Sequence, residues 1–309
     1  MSNEQALRDV SEQEILDYAR DGVVILKGIY PPAWVDRLEA QLDDMFRFSA
    51  ERTKALAESL LSGASRQGSA ADMVQSVKAA ATGTPGLAIE GTADEVTGAS
   101  YVETDASSWH EGIRAHNLHS PLARIIHQLA RTERVVFYSD QLFYKGAGSR
   151  LKTPWHQDKP YFLVDGGEVA VAWVPVDVVD KEVSAMGYVR GSHKWGKTFK
   201  PSDFQTETGT FPEIGGIDLS GLDDLDHTRL RDEDIVYFDA EPGDVIVHHW
   251  ATLHGSSGNT SSGRIRRAAS IRFACDGCVF YQRPSSPEPF RHTIDIEPGT
   301  PLGHPQSLP

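Results

Sequence analysis

Cysteine occurs only twice in this chain of 309 residues, at Cys275 and Cys278. A disulfide framework is therefore excluded. The two form a lone C-x-x-C in FACDGCVFY, with no second ligand pair at zinc-finger spacing. Strand-like segments flank it and Asp276-Gly277 is a good two-residue turn, so it reads as a bend. Positive charge is also scarce: 30 Lys and Arg against 44 Asp and Glu leave a net charge of −14. Nucleic-acid binding needs clustered cations to neutralise phosphate, and Arg266-Arg267 is too short a run for that. No apolar stretch reaches membrane-spanning length, and MSNEQALRD lacks the apolar segment of a signal peptide. A soluble, cytoplasmic protein is expected. Its partner is a small molecule, with no nucleic acid and no membrane; no feature specifies an oligomeric state.

What is present is enough apolar residue for a sizeable core, 39% of the chain. Residues 11–20 predict a helix with Ser11 as N-cap and Glu14 as its reciprocal partner. DGVVILKGIY reads as a strand. Pro31 and Pro32 open a second helix, in which Trp34, Leu38, Leu42 and Met45 recur at helical spacing and are expected in the core. Residues 62–100 are rich in Gly, Ala, Ser and Thr and predict loops, with a short helix near 71–81. Residues 120–133 predict an amphipathic helix with Ser120 as N-cap. Strands follow, in RVVFYSDQLFYKG, EVAVAWVPVDV, MGYVRGS, DIVYFDA, DVIVHHW, RAASIRFAC and CVFYQRP. One domain over 1–309 is expected: a helical part to about 133, a jelly-roll core over about 134–285 with helices packed outside it, and an extended, Pro-rich tail over about 286–309.

The chemistry-bearing stretch is TPWHQDKPYF, where His156 and Asp158 stand two apart. Alone, they are as readily two polar residues on a strand as two metal ligands. The segment GDVIVHHWATLHGSSGN adds His248, His249 and His254. His248 shares a strand face with Ile246 and Trp250 while His249 points the other way, so those two suit fixed supporting positions. His254 follows the strand and is free to project from its end. His156, Asp158 and His254 make the two-imidazole, one-carboxylate set of non-haem Fe(II) oxygenases, which leaves one side of the metal open. The H-x-D spacing places both side chains on one side of a strand. Arg266, twelve residues beyond His254, falls on the next strand. A buried guanidinium there can hold a carboxylate bidentately, which suits the far end of 2-oxoglutarate.

These segments, with VAWVPVDVVDKEVSAMGYVRGSHKWG and RRAAS, resemble the phytanoyl-CoA dioxygenase family of Fe(II)- and 2-oxoglutarate-dependent oxygenases. The resemblance covers most of the chain. It implies a mainly β, double-stranded β-helix core (jelly roll, cupin-like) with flanking α-helices. It makes His156, Asp158 and His254 the iron ligands and Arg266 the anchor of 2-oxoglutarate, with Arg264 and Arg267 as rivals. Ser256 would add a hydroxyl to the same carboxylate, and Gln141 and Trp173 would line the co-substrate pocket. Gln141, Phe143 and Lys145 share a strand face, so Lys145 is drawn inward too. The cofactors implied are Fe(II), 2-oxoglutarate and O2. The reaction implied is hydroxylation of a C–H bond with release of succinate and CO2. Asp158 argues against halogenation, which replaces this carboxylate with a small residue. The chain departs from the family pattern in an acidic insert at about 197–240, expected to cover the active-site mouth with Phe204, Phe211, Ile214 and Leu222 for packing. Two rivals from other classes are a non-catalytic jelly-roll binding protein and a zinc hydrolase using the same three ligands.

Overall fold

The computed structural model describes residues 5–47, 100–202, 219–284, 286 and 296–303. Its first helix, α1 (Glu12–Asp21), opens with a full capping box: Ser11 accepts from the Glu14 backbone, and the Glu14 side chain accepts from that of Ser11. Gly22, at φ 73°, closes the helix in the left-handed conformation and leads directly into β1 (Val23–Leu26). The second helix, α2, covers residues 32–47 and buries Trp34, Leu38, Leu42 and Met45 as expected. Next come β2 (Ser100–Thr104), α3 (Glu111–His119) and α4 (Leu122–Ala130).

The body is made of β3 (Val136–Lys145), β4 (Thr153–His156), β5 (Val164–Asp165), β6 (Val169–Pro175), β7 (Met186–Val189), β8 (Ile235–Tyr237), β9 (Val245–His249), β10 (His254–Ser256), β11 (Arg266–Ala274) and β12 (Val279–Phe280). Six strands pair in the order β1-β9-β6-β11-β3-β2, four in the order β4-β10-β7-β8, and β12 pairs with β5. Every pairing of these strands is antiparallel. The two larger sheets are the layers of a jelly roll.

The larger sheet is buried on both faces, and strand alternation sorts its side chains. Ala170, Ala172, Val174, Val245, Val247, Ala269, Ile271 and Phe273 pack outward against the helices, in one cluster with Leu26, Leu38, Leu42 and Ile126. Val23, Trp173, Ile246 and Ala268 point the other way, towards Met186 and Tyr188 of the smaller sheet. Among the described residues no helix is long and apolar enough to cross a membrane.

Several local expectations change. The N-terminal part is joined to the body, because β1, on the expected strand, and β2, which was not expected, form the two edges of the six-stranded sheet. Without them β9 and β3 would expose unpaired backbone. Ser120 is the C-cap of α3, its N–H donating to His116 O; Pro121 starts α4 without any side-chain cap. Two abutting helices share that junction, and proline has no N–H to satisfy there. Helix α3 has no apolar periodicity in the sequence, because its buried residues include only one aliphatic, Ile113, beside His116 and Asn117. Described tail residues do not simply extend: Phe280 N donates to Thr300 O (2.8 Å), and Leu302 is buried in a cluster with Phe280.

Cys275 and Cys278 are free and buried on either side of a turn whose Gly277 takes φ 80°. Burial pushes both thiols up, Cys278 to about 11, so neither is a ready thiolate. The expected helix near 71–81 lies outside the described residues, as do Phe204, Phe211 and Ile214 of the insert. The insert's described start is tied to β4 and the residue after it: Phe199 N donates to Gln157 Oε1 (3.0 Å), and Ser202 Oγ donates to Trp155 O (3.2 Å).

Leu38 is fully buried beneath the outer face of the large sheet. Leu38→Ala is expected to cost about 2–5 kcal/mol of stability, read by chemical denaturation.

Candidate metal centre and co-substrate pocket

Strand β10 lies between β4 and β7, and the register sets His254 opposite His156 on one side and Tyr188 on the other. The imidazoles of His156 and His254 are 4.1 Å apart between centroids. Each is oriented by its own chain. His156 Nδ1 donates to Pro154 O (2.8 Å) and His254 Nδ1 donates to Thr252 O (3.0 Å). That leaves both Nε2 atoms as lone-pair donors. Burial pushes both rings down in pKa, so they are neutral at neutral pH, as metal ligands must be.

Asp158 does not sit on the strand with His156. β4 ends at His156, and Asp158 is in the loop beyond, its N–H donating to Trp250 O (2.9 Å). The carboxylate is placed by a residue that motif spacing did not assign to it. His248 Nε2 donates to Asp158 Oδ2 (3.1 Å), leaving Oδ1 at 3.8 Å from His156 Nε2. Burial alone would raise this carboxyl. The His248 hydrogen bond, with neighbouring His254 and Arg272, outweighs burial and holds it well below the usual range. Ligand atoms of His156, Asp158 and His254 all lie within 4.8 Å of one another, and all three residues are buried. Two neutral nitrogens and one ionised oxygen form a donor set that fits Fe(II). His249 lies on the other face, near Glu168 and His193, away from this cluster.

The cluster opens into a cavity of about 260 Å³ between the two sheets, lined also by Gln141, Lys145, Trp173 and Arg266. The three candidate arginines separate cleanly. Arg264 is at the surface, paired with Asp180 and Glu182 (both 2.7 Å). Arg267 points away from the cavity, pairs with Asp177 just beyond β6 and ties β11 to α2 through Glu39 and Asp43. Arg266 is 2% exposed, its Nη1 donating to Ser184 O (2.6 Å) and its Cζ 5.7 Å from the Trp173 ring. It has no ion-pair partner among the described residues, and its Nε has no hydrogen-bond partner there. Burial pushes its guanidinium down to about 10, so it remains charged at neutral pH.

Lys145 stands opposite Arg266 in the β3–β11 register, its Nζ donating to Ser184 Oγ (2.9 Å) and Ser256 Oγ (3.2 Å). Ser256 is set behind the cavity wall, its Oγ donating to Thr153 Oγ1 (3.0 Å), and reaches the Arg266 neighbourhood through Lys145. Gln141 lines the cavity further along β3, where its Oε1 accepts from Arg272 Nη2 (2.7 Å). Arg272 and Tyr188 also line the cavity, and motif reading picked out neither. The available signal for Arg272 was its alternation with Arg266 along one strand face.

The glycine of H-G-S has a definite reason. A Cβ at Gly255 would stand 2.9 Å from Thr153 O and 3.2 Å from the Trp155 ring. Gly255→Ala is expected to push β4 away from β10 and separate His156 from His254. Fe(II) affinity, followed by anaerobic titration, should fall about 10- to 100-fold, as for loss of a group that orients ligands.

Comparison with known proteins agrees with this geometry. The model of the phytanoyl-CoA dioxygenase family matches residues 18–268. Bovine peroxisomal phytanoyl-CoA dioxygenase is 31% identical over 146 residues, which is 47% of this chain and 36% of that protein. The chain thus matches little more than a third of this relative's length. The 1-deoxypentalenic acid 11-beta-hydroxylase of Streptomyces arenae is 26% identical over 62% of this chain and 66% of its own. Among solved structures, SnoK, a non-haem α-ketoglutarate-dependent carbocyclase from nogalamycin biosynthesis, superposes with a TM-score of 0.60 at 20% identity, covering 98% of this chain and 97% of that one. That likeness is one of fold. The family match takes in the two edge strands, the whole four-stranded sheet, the larger sheet as far as the start of β11 and every residue of the His156, Asp158 and His254 cluster, and the chain belongs to the phytanoyl-CoA dioxygenase family.

Proposed function

We propose that the protein is an Fe(II)- and 2-oxoglutarate-dependent dioxygenase that hydroxylates a C–H bond of a small organic substrate. The observation that carries it is the meeting, in one cavity, of a buried two-histidine, one-carboxylate cluster with a buried guanidinium that lacks a counter-charge among the described residues. His156, Asp158 and His254 would hold the metal, the histidines through Nε2 because their Nδ1 atoms are engaged by backbone carbonyls. His248 keeps Asp158 turned towards them. Arg266 would take the distal carboxylate of 2-oxoglutarate, with Lys145 beside it and Trp173 as an apolar wall. Burial of Arg266 limits water around that pair, which strengthens it. Chemistry supplied by ferrous iron in such a site is O2 activation coupled to decarboxylation of 2-oxoglutarate to succinate and to oxidation of the substrate.

A hydrolytic zinc site is the weaker reading. It needs a free general base beside the metal. The one carboxylate lining the cavity among the described residues is Asp158, itself in the ligand cluster. The names of the curated relatives, a phytanoyl-CoA dioxygenase and a 1-deoxypentalenic acid hydroxylase, suit oxidation of an aliphatic carbon.

Three outcomes test the proposal. Fe(II) and 2-oxoglutarate added without oxygen should give a weak visible charge-transfer band, which Zn(II) cannot produce; its absence would remove the oxygenase reading. Asp158→Ala should abolish succinate formation with the fold intact by circular dichroism. Arg266→Leu should raise the KM for 2-oxoglutarate on the order of a hundredfold, as for a buried charge pair broken on one side. Arg264→Leu should leave that KM unchanged, and Arg267→Leu should lower stability instead.

A further inference from the structure

Arg266 accounts for one buried cation in the cavity wall. Arg272, six residues further along the same strand face, is a second. It is 7% exposed. Its Nη1 donates to Ser139 Oγ (3.2 Å), its Nη2 donates to Gln141 Oε1 (2.7 Å), and its Cζ lies 5.0 Å from the Phe162 ring. All of these partners are neutral. Its Nε has no hydrogen-bond partner and it forms no ion pair among the described residues. Asp140 and Asp105 behind the wall and Asp158 in the cavity feel its charge without forming an ion pair with it. Asp140 is already engaged by the backbone of Ala106 and Ser107 and by Asn117 Nδ2. A buried guanidinium is costly without a counter-charge, so one left with neutral partners at a cavity wall is provision for an anion.

The charge around the cavity points the same way. Described lining residues include four cations, Lys145, Lys152, Arg266 and Arg272, and one carboxylate, Asp158. The chain as a whole has the opposite balance, 44 acidic to 30 basic residues. A ferrous ion and doubly charged 2-oxoglutarate cancel each other, so their binding does not consume the cationic surplus. Nor can the co-substrate serve both arginines. At about 3.4 Å per strand residue, Arg266 and Arg272 are separated by about 20 Å along β11. Their heads are held apart, Arg266 at Ser184 and Arg272 at Ser139 and Gln141. The metal cluster lies nearer Arg272: across the large sheet Arg272 is in register with Val171 and Val171 with His248, which holds Asp158, whereas Arg266 is in register with Lys145.

We propose that Arg272 is the substrate-recognition residue, pairing with a carboxylate on the molecule to be oxidised, so that the substrate is an organic acid held at the opposite end of the cavity from 2-oxoglutarate. The word substrate rests on the oxygenase reading; the second anion site does not. A carboxylate suits one planar guanidinium in charge and shape. A phosphate monoester would require a second cation at this end, and Lys145 stands beside Arg266 at the other.

The test is calorimetric. Octanoic acid and cyclohexanecarboxylic acid, each beside its methyl ester, and octyl phosphate are titrated into protein loaded with Fe(II) and 2-oxoglutarate under nitrogen. At least one acid is expected to bind tenfold or more tighter than its ester and than octyl phosphate. Arg272→Gln should erase that preference by weakening the acid and not by tightening the ester, and Arg272→Lys should retain part of it. Equal binding of acids and esters in the unaltered protein, or an acid preference that survives in Arg272→Gln, overturns the proposal, as does tighter binding of octyl phosphate. The unaltered protein decides the first of these even where a variant does not fold. Repeating the titration on metal-free Arg266→Leu protein separates the two readings. An acid preference there, together with no charge-transfer band from the unaltered protein given Fe(II) and 2-oxoglutarate, supports the Arg272 site while rejecting the oxygenase.

Discussion

The pairing of β10 with its two neighbours is the contact on which the rest of the site depends. Three residues long, β10 bridges β4 and β7 and sets His254 against His156 on one side and Tyr188 on the other. A strand this short has few ladder hydrogen bonds, so its position is held mostly by packing and by fixed side-chain bonds. Ser192 Oγ accepts from Leu253 N just before it, and Ser256 Oγ reaches Thr153 just after. The register shifts between His254 and Ser256, a bulge that re-aims the histidine. Glycine in the middle is what lets the Thr153 and Trp155 backbone come close enough.

Strand β11 does a second job through alternation alone. One face supplies Ala269, Ile271 and Phe273 to the helical layer, and the other presents Arg266, Ser270 and Arg272 to the cavity. Apolar packing on the outer face fixes the strand, so the inner face can bear charge at little risk to the fold. Arg267, one residue out of phase, joins Asp177, Glu39 and Asp43 and binds α2 to the sheet. Adjacent arginines therefore act on opposite sides of one sheet, and a one-residue slip would exchange them.

Acidic on the whole and cationic within, the protein is electrically divided. Its surface carries exposed pairs such as Lys197 with Asp223 and Arg231 with Asp234, which contribute little individually. Inside the cavity the same kinds of charge are removed from water and count for more. Asp158 shows the difference. It is fully surrounded, yet the bond from His248 and the nearby Arg272 keep it ionised and available.

Much of this was legible in the residues. The capping box at Ser11, the α2 stripe and seven of the body strands rest on spacing within a few residues, which local geometry decides; the H-x-D, H-G-S and arginine constellation was legible because separated segments together resemble one family. Other features were not legible, for a physical reason common to all of them. That β1 and β2 close the edges of the large sheet and that His248 holds Asp158 are facts about neighbours distant in sequence. Arg264, Arg266 and Arg267 were equivalent as letters. The pairing of β11 with β3 and β6 gave them different surroundings, one in solvent, one in the cavity and one against α2. Periodicity determines which side chains share a face; only the packing of whole strands determines what that face meets.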